Sequence, residues 1–193
     1  MPLPILPIVA GKVAFAAGAA LFAHRMTRRL QRVSDYADLT PPFLPTRHLH
    51  GVWKGEGVLH GPMGGVKTRL SGWMEGTWLD QHGELRIGLR DDQGTFWSDT
   101  LRFQPPAGSG PDGQAWELSQ NGAPIGQAAC AGNTLHLSRA AVLPPHLGAW
   151  KVGMEDWFHL LADDRCMQRA TWSKLATPLL DLAITWTRQM PGN

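Results

Sequence analysis

From residue 51 onward, apolar and polar side chains alternate with a period of two, interrupted at short intervals by Gly, Pro, Asn and Asp. That pattern predicts antiparallel strands with one buried face. The first stretch is Gly51-Val52-Trp53-Lys54-Gly55-Glu56-Gly57-Val58-Leu59. Trp53, Gly55, Gly57 and Leu59 share one face, and Val52, Lys54, Glu56 and Val58 share the other. Glycine weakens a strand interior and marks a bend or a close approach. A large ring followed by two positions without side chains predicts a barrel with a blocked floor and a hollow above it. A filled barrel, with Trp53 as core and the glycines serving twist, stands equally open, because small barrels are commonly filled by side chains.

The following strands repeat the alternation. Val66, Thr68, Leu70, Gly72 and Met74 oppose Lys67, Arg69, Ser71, Trp73 and Glu75. Leu85, Ile87 and Leu89 alternate with Glu84, Arg86 and Arg90, and Asp91-Asp92-Gln93-Gly94 is a hairpin turn. Trp97, Leu101 and Phe103 continue, with Asp99 as a polar exception. Shorter strands fall around Trp116-Glu117-Leu118, residues 125–130 and Leu135-His136-Leu137. Val152, Met154, Phe158 and Leu160 form a face that includes Asp156, and Asp163-Asp164 turns the chain. The returning strand carries Cys166, Gln168, Ala170 and Trp172 on one face and Met167, Arg169, Thr171 and Ser173 on the other. Leu180, Leu182, Ile184 and Trp186 mark a final strand. Roughly eight to ten antiparallel strands in one small domain favour an all-β closed barrel, since closure removes unpaired edges.

The first 50 residues differ. Residues 3–23 are apolar with one charge, Lys12, and approach the length of a membrane-spanning helix. Arg25, Arg28, Arg29 and Arg32 follow. A helix over residues 1–33 is expected, either anchored in a membrane or lying on its surface with Phe22, Met26, Leu30 and Val33 on the apolar side. A cleaved signal fits less well, because the basic cluster follows the apolar run. The Ala and Gly content also leaves open a helix packed on its own domain. Residues 34–50 form a Pro-rich connector in which Pro41, Pro42 and Pro45 argue against a regular helix. Tyr36, Leu39, Phe43 and Leu44 are candidates to tuck beneath the barrel. The expected organisation is thus helix 1–33, connector 34–50 and barrel 51–190.

Composition narrows the classes. Apolar residues make up 43% and charged residues 18%, which excludes disorder by composition. Nine Trp against one Tyr suit a barrel floor and mouth, or a membrane-facing rim. A net charge of +2 is too mild to imply a nucleic-acid partner. Cys130 and Cys166 form no C-x-x-C motif, so neither a zinc site nor a redox dithiol is expected, while a disulfide between them stays open beside two buried thiols. His48 and His50 flank Leu49 and could point the same way, but no third ligand lies near, so no metal and no cofactor are expected.

No hydrolase elbow, phosphate loop, zincin motif or dinucleotide fingerprint is present. The exceptional residue is Asp156, a carboxylate on an apolar face, which must be paired or hold its proton. A register placing 156 opposite 168 sets Asp156 against Gln168, and a one-residue shift sets it against Arg169 or Thr171. Asp156 is accordingly either a satisfied structural carboxylate, a polar anchor for a lipid head group, or a general acid/base. Glu56 and Glu75 fall on faces turned away from the lumen.

Four segments carry a family resemblance: Gly51-Val52-Trp53-Lys54-Gly55-Glu56-Gly57, Glu75-Gly76-Thr77-Trp78, Asp156-Trp157-Phe158-His159-Leu160 and Arg169-Ala170-Thr171-Trp172-Ser173-Lys174. Together they resemble the bacterial DUF3833 family of predicted lipoproteins, over roughly residues 49–188. The Arg-Ala-Thr-x-Ser-Lys segment is the most specific of them. The Gly-x-Trp-x-Gly-x-Gly segment is shared with lipocalin-like and other calycin barrels. This chain has no lipobox cysteine, so acylation is not implied, whereas membrane proximity is. The calycin likeness implies that Arg169 lies across Trp53 and closes the floor by a cation–π contact.

The expected function is binding of a small apolar or fatty-acyl ligand at a membrane, with bacterial inner-membrane or cell-envelope localisation and attachment through residues 3–33. The expected ligand-binding residues are Gly55, Gly57, Met74, Met154, Asp156, Phe158, Gln168 and Trp172, above a floor of Trp53 and Arg169. A lipid-modifying enzyme using Asp156 as acid/base and a membrane-tethered interaction module are the alternatives.

Overall fold

The computed structural model describes residues 31–108 and 114–189. The expected helix over 1–33 therefore lies almost wholly outside the described residues. Val33–Tyr36 forms a single 3-10 turn. Among the described residues no helix is long and apolar enough to cross a membrane.

From Val33 onward the chain is one compact unit built on ten strands. They are β1 (Gly51–His60), β2 (Val66–Leu79), β3 (His82–Asp91), β4 (Phe96–Gln104), β5 (Ala115–Gln120), β6 (Ala123–Ala131), β7 (Thr134–Val142), β8 (Lys151–Ala162), β9 (Arg165–Lys174) and β10 (Thr177–Arg188). Each strand pairs antiparallel with the next, and β1 pairs with β10, so the meander closes as a barrel. The expected all-β antiparallel closed barrel is what forms. The period-two pattern dictates it: Trp53, Leu59, Leu70, Met74, Leu85, Leu101, Phe103, Leu118, Leu137, Phe158 and Trp186 all point inward and are buried.

One end of the barrel holds the start of β1 and the β2–β3, β6–β7 and β8–β9 turns. Residues 33–50 close this floor end. The backbone N–H of Phe43 donates to the carbonyl of Gly132 at 2.7 Å, and Phe43 and Leu49 are buried. Tyr36 instead lies on the outer wall, 5.2 Å from the His159 ring and 5.9 Å from the Trp157 ring between centroids. Leu39 and Leu44 are exposed. The expectation that the prolines exclude a helix here needs correcting, because Pro45–His48 forms one helical turn, α1. Pro45 stands in its first turn, where its missing N–H costs nothing.

His48 is buried in this floor and accepts a hydrogen bond at Nδ1 from the N–H of Leu44 at 2.8 Å. Its Nε2 faces Asp163 at 3.5 Å, while His50 is exposed. Among the described residues no three His, Cys, Asp or Glu side chains are grouped to hold a metal. Cys130 and Cys166 are free and buried. Burial pushes both thiols up, that of Cys166 to about 12, which leaves them inert as nucleophiles.

Candidate functional site: a polar chain through the barrel lumen

The floor residue Trp53 is fully buried, and the cation over its ring is Arg188. Arg188 is the direct β1–β10 partner of Trp53, with its guanidinium carbon 4.7 Å from the ring centre. Its Nη2 also donates to the carbonyl of Arg47 at 2.8 Å. The assignment of Arg169 to this contact is corrected. Arg169 is exposed on the outer face of β9, opposite Trp157. The physical reason is the strand period: Gln168, Ala170 and Trp172 point inward, so Arg169 points out.

The space above Trp53 is not a hollow. Gly55 and Gly72 are paired across β1 and β2, and the Trp186 ring lies against both. A Cβ on Gly55 would stand 2.4 Å from Trp186 Cε3, and one on Gly72 would stand 3.5 Å from Cη2 of the same ring. A Cβ on Gly57 would stand 2.1 Å from the Ala183 carbonyl oxygen and 2.5 Å from Ile184 Cγ1, so this glycine admits the β10 backbone as well as a side chain. The glycines thus make room for β10 side chains, and Gly55 and Gly57 are not available to a ligand.

What crosses the lumen is a chain of polar side chains. Trp186 Nε1 donates to Gln168 Oε1 at 3.0 Å, and Gln168 Nε2 donates to Asp156 Oδ1 at 2.7 Å. Arg139 Nε donates to Asp156 Oδ2 at 3.4 Å, and Arg139 Nη1 lies 2.7 Å from Asp99 Oδ2. Gln120 donates to the other oxygen of Asp99. The chain begins beside Gly55, low in β10, and ends at the mouth, where Asp99 and Gln120 sit near the open ends of β4 and β5. The side chain of Asp99 is 26% exposed and that of Arg139 is 4% exposed.

Burial raises the Asp156 carboxyl above its ordinary range, and Arg139 and the Gln168 hydrogen bond oppose this. Desolvation is the larger influence, so the protonated form is favoured relative to an exposed Asp.

Asp156 pairs with Ala170, Met154 with Trp172 and Phe158 with Gln168. The pairing differs by two residues from 156 opposite 168: the Asp163-Asp164 turn sets Ala162 against Arg165, and a one-residue irregularity between Leu160 and Ala162 then brings Asp156 opposite Ala170. Gln168 remains close enough diagonally to bond Asp156. Met74 and Phe158 are fully sealed in the lower barrel. Met154 and Trp172 stand higher, joined by a bond from Trp172 Nε1 to Met154 Sδ at 2.7 Å. The structure thus places Asp156 and Gln168 in the polar chain, Met154 and Trp172 beside its upper end, and Met74 and Phe158 in solid packing. Glu56 is exposed and Glu75 half-buried, both facing outward.

Inward residues differ slightly in exposure. Trp53, Met74, Leu85, Phe158 and Trp186 show almost no accessible surface, nor does Leu59 at the mouth end of β1, whereas Ile87, opposite Met74, is 8% and Arg139 is 6% exposed. Leu70, Leu89, Val152, Met154, Trp172 and Leu180 share this slight exposure. A separate groove of about 330 Å³ lies at the floor edge of β2–β4, lined by Trp78, Leu79, Gly83, Arg102 and Phe103, and holds none of the expected site residues.

Arg139, Asp99 and Gln120 escaped the sequence-based assignment. Their signal was present: Leu135, Leu137 and Arg139 fall at spacings of two, as do Trp97, Asp99 and Leu101, and Trp116, Leu118 and Gln120. Each polar residue therefore belonged to an inward face.

Fold and site define a closed lipocalin/calycin-like barrel with a packed floor and a charged network reaching its mouth. The chain belongs to the family described as "Protein of unknown function (DUF3833)", which matches residues 25–188. No curated protein matches it. Among solved structures, the S-type phycobiliprotein lyase CPES from Guillardia theta is similar, with 10% identity, a TM-score of 0.53, and coverage of 74% of this chain and 89% of that one. The redesigned barrel mFAP1 bound to DFHBI has 13% identity and a TM-score of 0.41, covering 74% of this chain and 97% of its own. A de novo designed fluorescence-activating barrel has 10% identity and a TM-score of 0.39, covering 75% of this chain and 97% of its own. The likeness to the lyase is one of fold, and the two designed barrels add nothing to it.

Proposed function

We propose that this barrel binds a small apolar or fatty-acyl molecule in the upper part of its lumen. The polar end of the ligand meets Arg139 and Asp99, and its apolar body lies among Leu70, Ile87, Leu89, Met154, Trp172 and Leu180. The observation that supports this most is the Asp156–Arg139–Asp99 network, a charged group in an apolar barrel whose outer member, Asp99, is 26% exposed near the mouth. Buried charges cost stability unless paired, and hydrophobic replacements often serve a fold as well or better. A network placed at the accessible end of a lumen is suited to orienting a ligand.

Asp156 supports the network from below, and a ligand would reach it only past Arg139. An acid/base role for Asp156 would need a substrate to displace Arg139 from it, so binding is preferred to catalysis. Membrane attachment through residues 3–33, and the envelope localisation that goes with it, belong to this proposal as the source of an acyl ligand.

Solvent extraction of the purified full chain followed by mass spectrometry tests the function. A co-purifying acyl or other apolar species is expected in near-stoichiometric amount. An extract without one, together with no uptake of added fatty acids, would overturn it.

A further inference from the structure

We propose that the mouth end of the barrel docks onto an anionic lipid bilayer through the tips of its loops. This surface does not depend on the lumen ligand, since it rests on the loops alone. Met63 in the β1–β2 turn is 97% exposed and Leu175 in the β9–β10 turn is 91% exposed. Val66, Phe96, Val142 and Trp150 are also exposed, at the mouth ends of β2, β4, β7 and β8. Apolar residues thus project from four of the turns at this end.

The β9–β10 turn gives an independent reason. Leu175 and Ala176 both adopt left-handed backbone conformations, with φ of 49° and 63°. A two-residue hairpin turn of this hand is ordinarily filled by Asn-Gly or Asp-Gly, which tolerate it without steric cost. This chain puts a leucine there and leaves it in solvent. Local strain and exposed apolar area are both unfavourable to the isolated barrel, and a bilayer would relieve the second of them.

Charge selects the occupant. Lys67, Arg69, Arg90, Lys151 and Lys174 surround the mouth, against Asp91, Asp92 and Asp181. Asp91 accepts hydrogen bonds from the N–H groups of Gln93 and Thr95 in its own turn, and Asp92 accepts one from the Thr68 hydroxyl on the neighbouring strand β2, so both carboxylates are engaged. Lys174 Nζ stands 4.8 Å from the Trp150 ring centre. A Trp ring beside a Lys suits the interfacial layer of a bilayer, where the ring is half-immersed and the ammonium meets head groups. The floor end also exposes Leu39, Leu44, Leu79 and Leu161, but there Asp38, Asp80, Asp163 and Asp164 offset Arg47, Arg102, Arg165 and Arg188, with Asp163 bonded to Arg47, so no basic excess meets an anionic surface.

The test uses the full chain carrying Leu175→Cys or, as control, Leu79→Cys, each labelled with the environment-sensitive dye NBD. Cys130 and Cys166 are buried and do not compete for the label. Each protein is mixed with vesicles of equal parts phosphatidylglycerol and phosphatidylcholine, or of phosphatidylcholine alone. The expected result is a several-fold rise and blue shift of emission at position 175 on anionic vesicles. At position 79, and for either label on neutral vesicles, the emission should stay water-like. An unchanged label at 175, an equal response at both positions, or an equal response on neutral vesicles would overturn the proposal. Because the two labels report depth rather than attachment, membrane binding by residues 3–33 alone would appear as an unchanged label at 175.

Discussion

Arg188 stands directly opposite Trp53 in the β1–β10 pairing, with its guanidinium carbon 4.7 Å from the indole centre. The strand that closes the barrel thereby also caps its floor, and the same guanidinium ties α1 to the barrel through the carbonyl of Arg47. A cation–π contact is worth about 1–2 kcal/mol when partly desolvated, and the hydrogen bond about 1 kcal/mol. Arg188→Ala should lower unfolding stability by about 2 kcal/mol on those terms. Arg169→Ala, on the outer face, should stay within about 0.5 kcal/mol of the parent. Urea unfolding of the two variants decides between the two arginines.

Gly55 tests the filled space above the floor. Replacing a strand glycine by alanine ordinarily stabilises, because alanine loses less backbone entropy. Here the added methyl meets the Trp186 ring, so Gly55→Ala should destabilise by about 1–3 kcal/mol, as overpacking does. Gly65→Ala, where a Cβ meets nothing, should be near neutral. Equal midpoints for the two variants would show that the lumen at Gly55 is empty.

Asp156 makes a pH prediction. Its folded-state pKa is raised above the ordinary 3.8, chiefly by burial. The folded state therefore binds more protons than the unfolded one, and this contribution to stability is fully present below that value and lost as pH rises through the folded pKa. Asp156→Asn removes the titration. The stability of the parent minus that of the variant should fall as pH rises above 3.8, whereas a flat difference contradicts the burial argument.

His48 works in the other direction. Its pKa lies below 6.5, first through desolvation and then through Arg47, although Asp163 opposes this. Protonating Nδ1 would break its bond from the Leu44 N–H. A depressed folded pKa gives stability that is present above 6.5 and lost as pH falls through the folded value. Relative to His48→Gln, the parent should lose stability on acidification from neutrality, and hydrogen exchange at Leu44 should rise in the same interval.

The barrel was legible because nearly every strand alternates cleanly, from Trp53 to Leu59 as from Leu180 to Trp186. Two features were not. The β8–β9 register depends on an irregularity beside Leu160, and nothing in the turn residues Asp163-Asp164 announces an extra residue there. The fate of the glycine space depends on which β10 side chain crosses to β1, a non-local fact set by the Gly55–Trp186 pairing. The arginine at the floor was recoverable: Arg188 continues the inward series Leu182, Ile184 and Trp186, while Arg169 breaks with Gln168 and Trp172. Half of the polar chain, Asp156 and Gln168, stood out as polar residues on apolar faces. Asp99 also stood out as a polar exception but had no role assigned, and Arg139 and Gln120 lie just beyond the stretches Leu135-His136-Leu137 and Trp116-Glu117-Leu118 that mark their strands in the sequence.

Titration of the purified full chain with the fluorescent fatty acid cis-parinaric acid, beside the Arg139→Met/Asp156→Leu double variant, tests the central claim most directly. The double variant removes both charges and so leaves neither one buried alone. The parent should bind one equivalent of the probe with energy transfer from tryptophan. The folded double variant should bind at least tenfold more weakly, about 1.4 kcal/mol, the loss of one charged contact. Absence of saturable binding by the parent, or equal affinity in the two proteins, would contradict a ligand site at the upper end of the Asp156–Arg139–Asp99 chain.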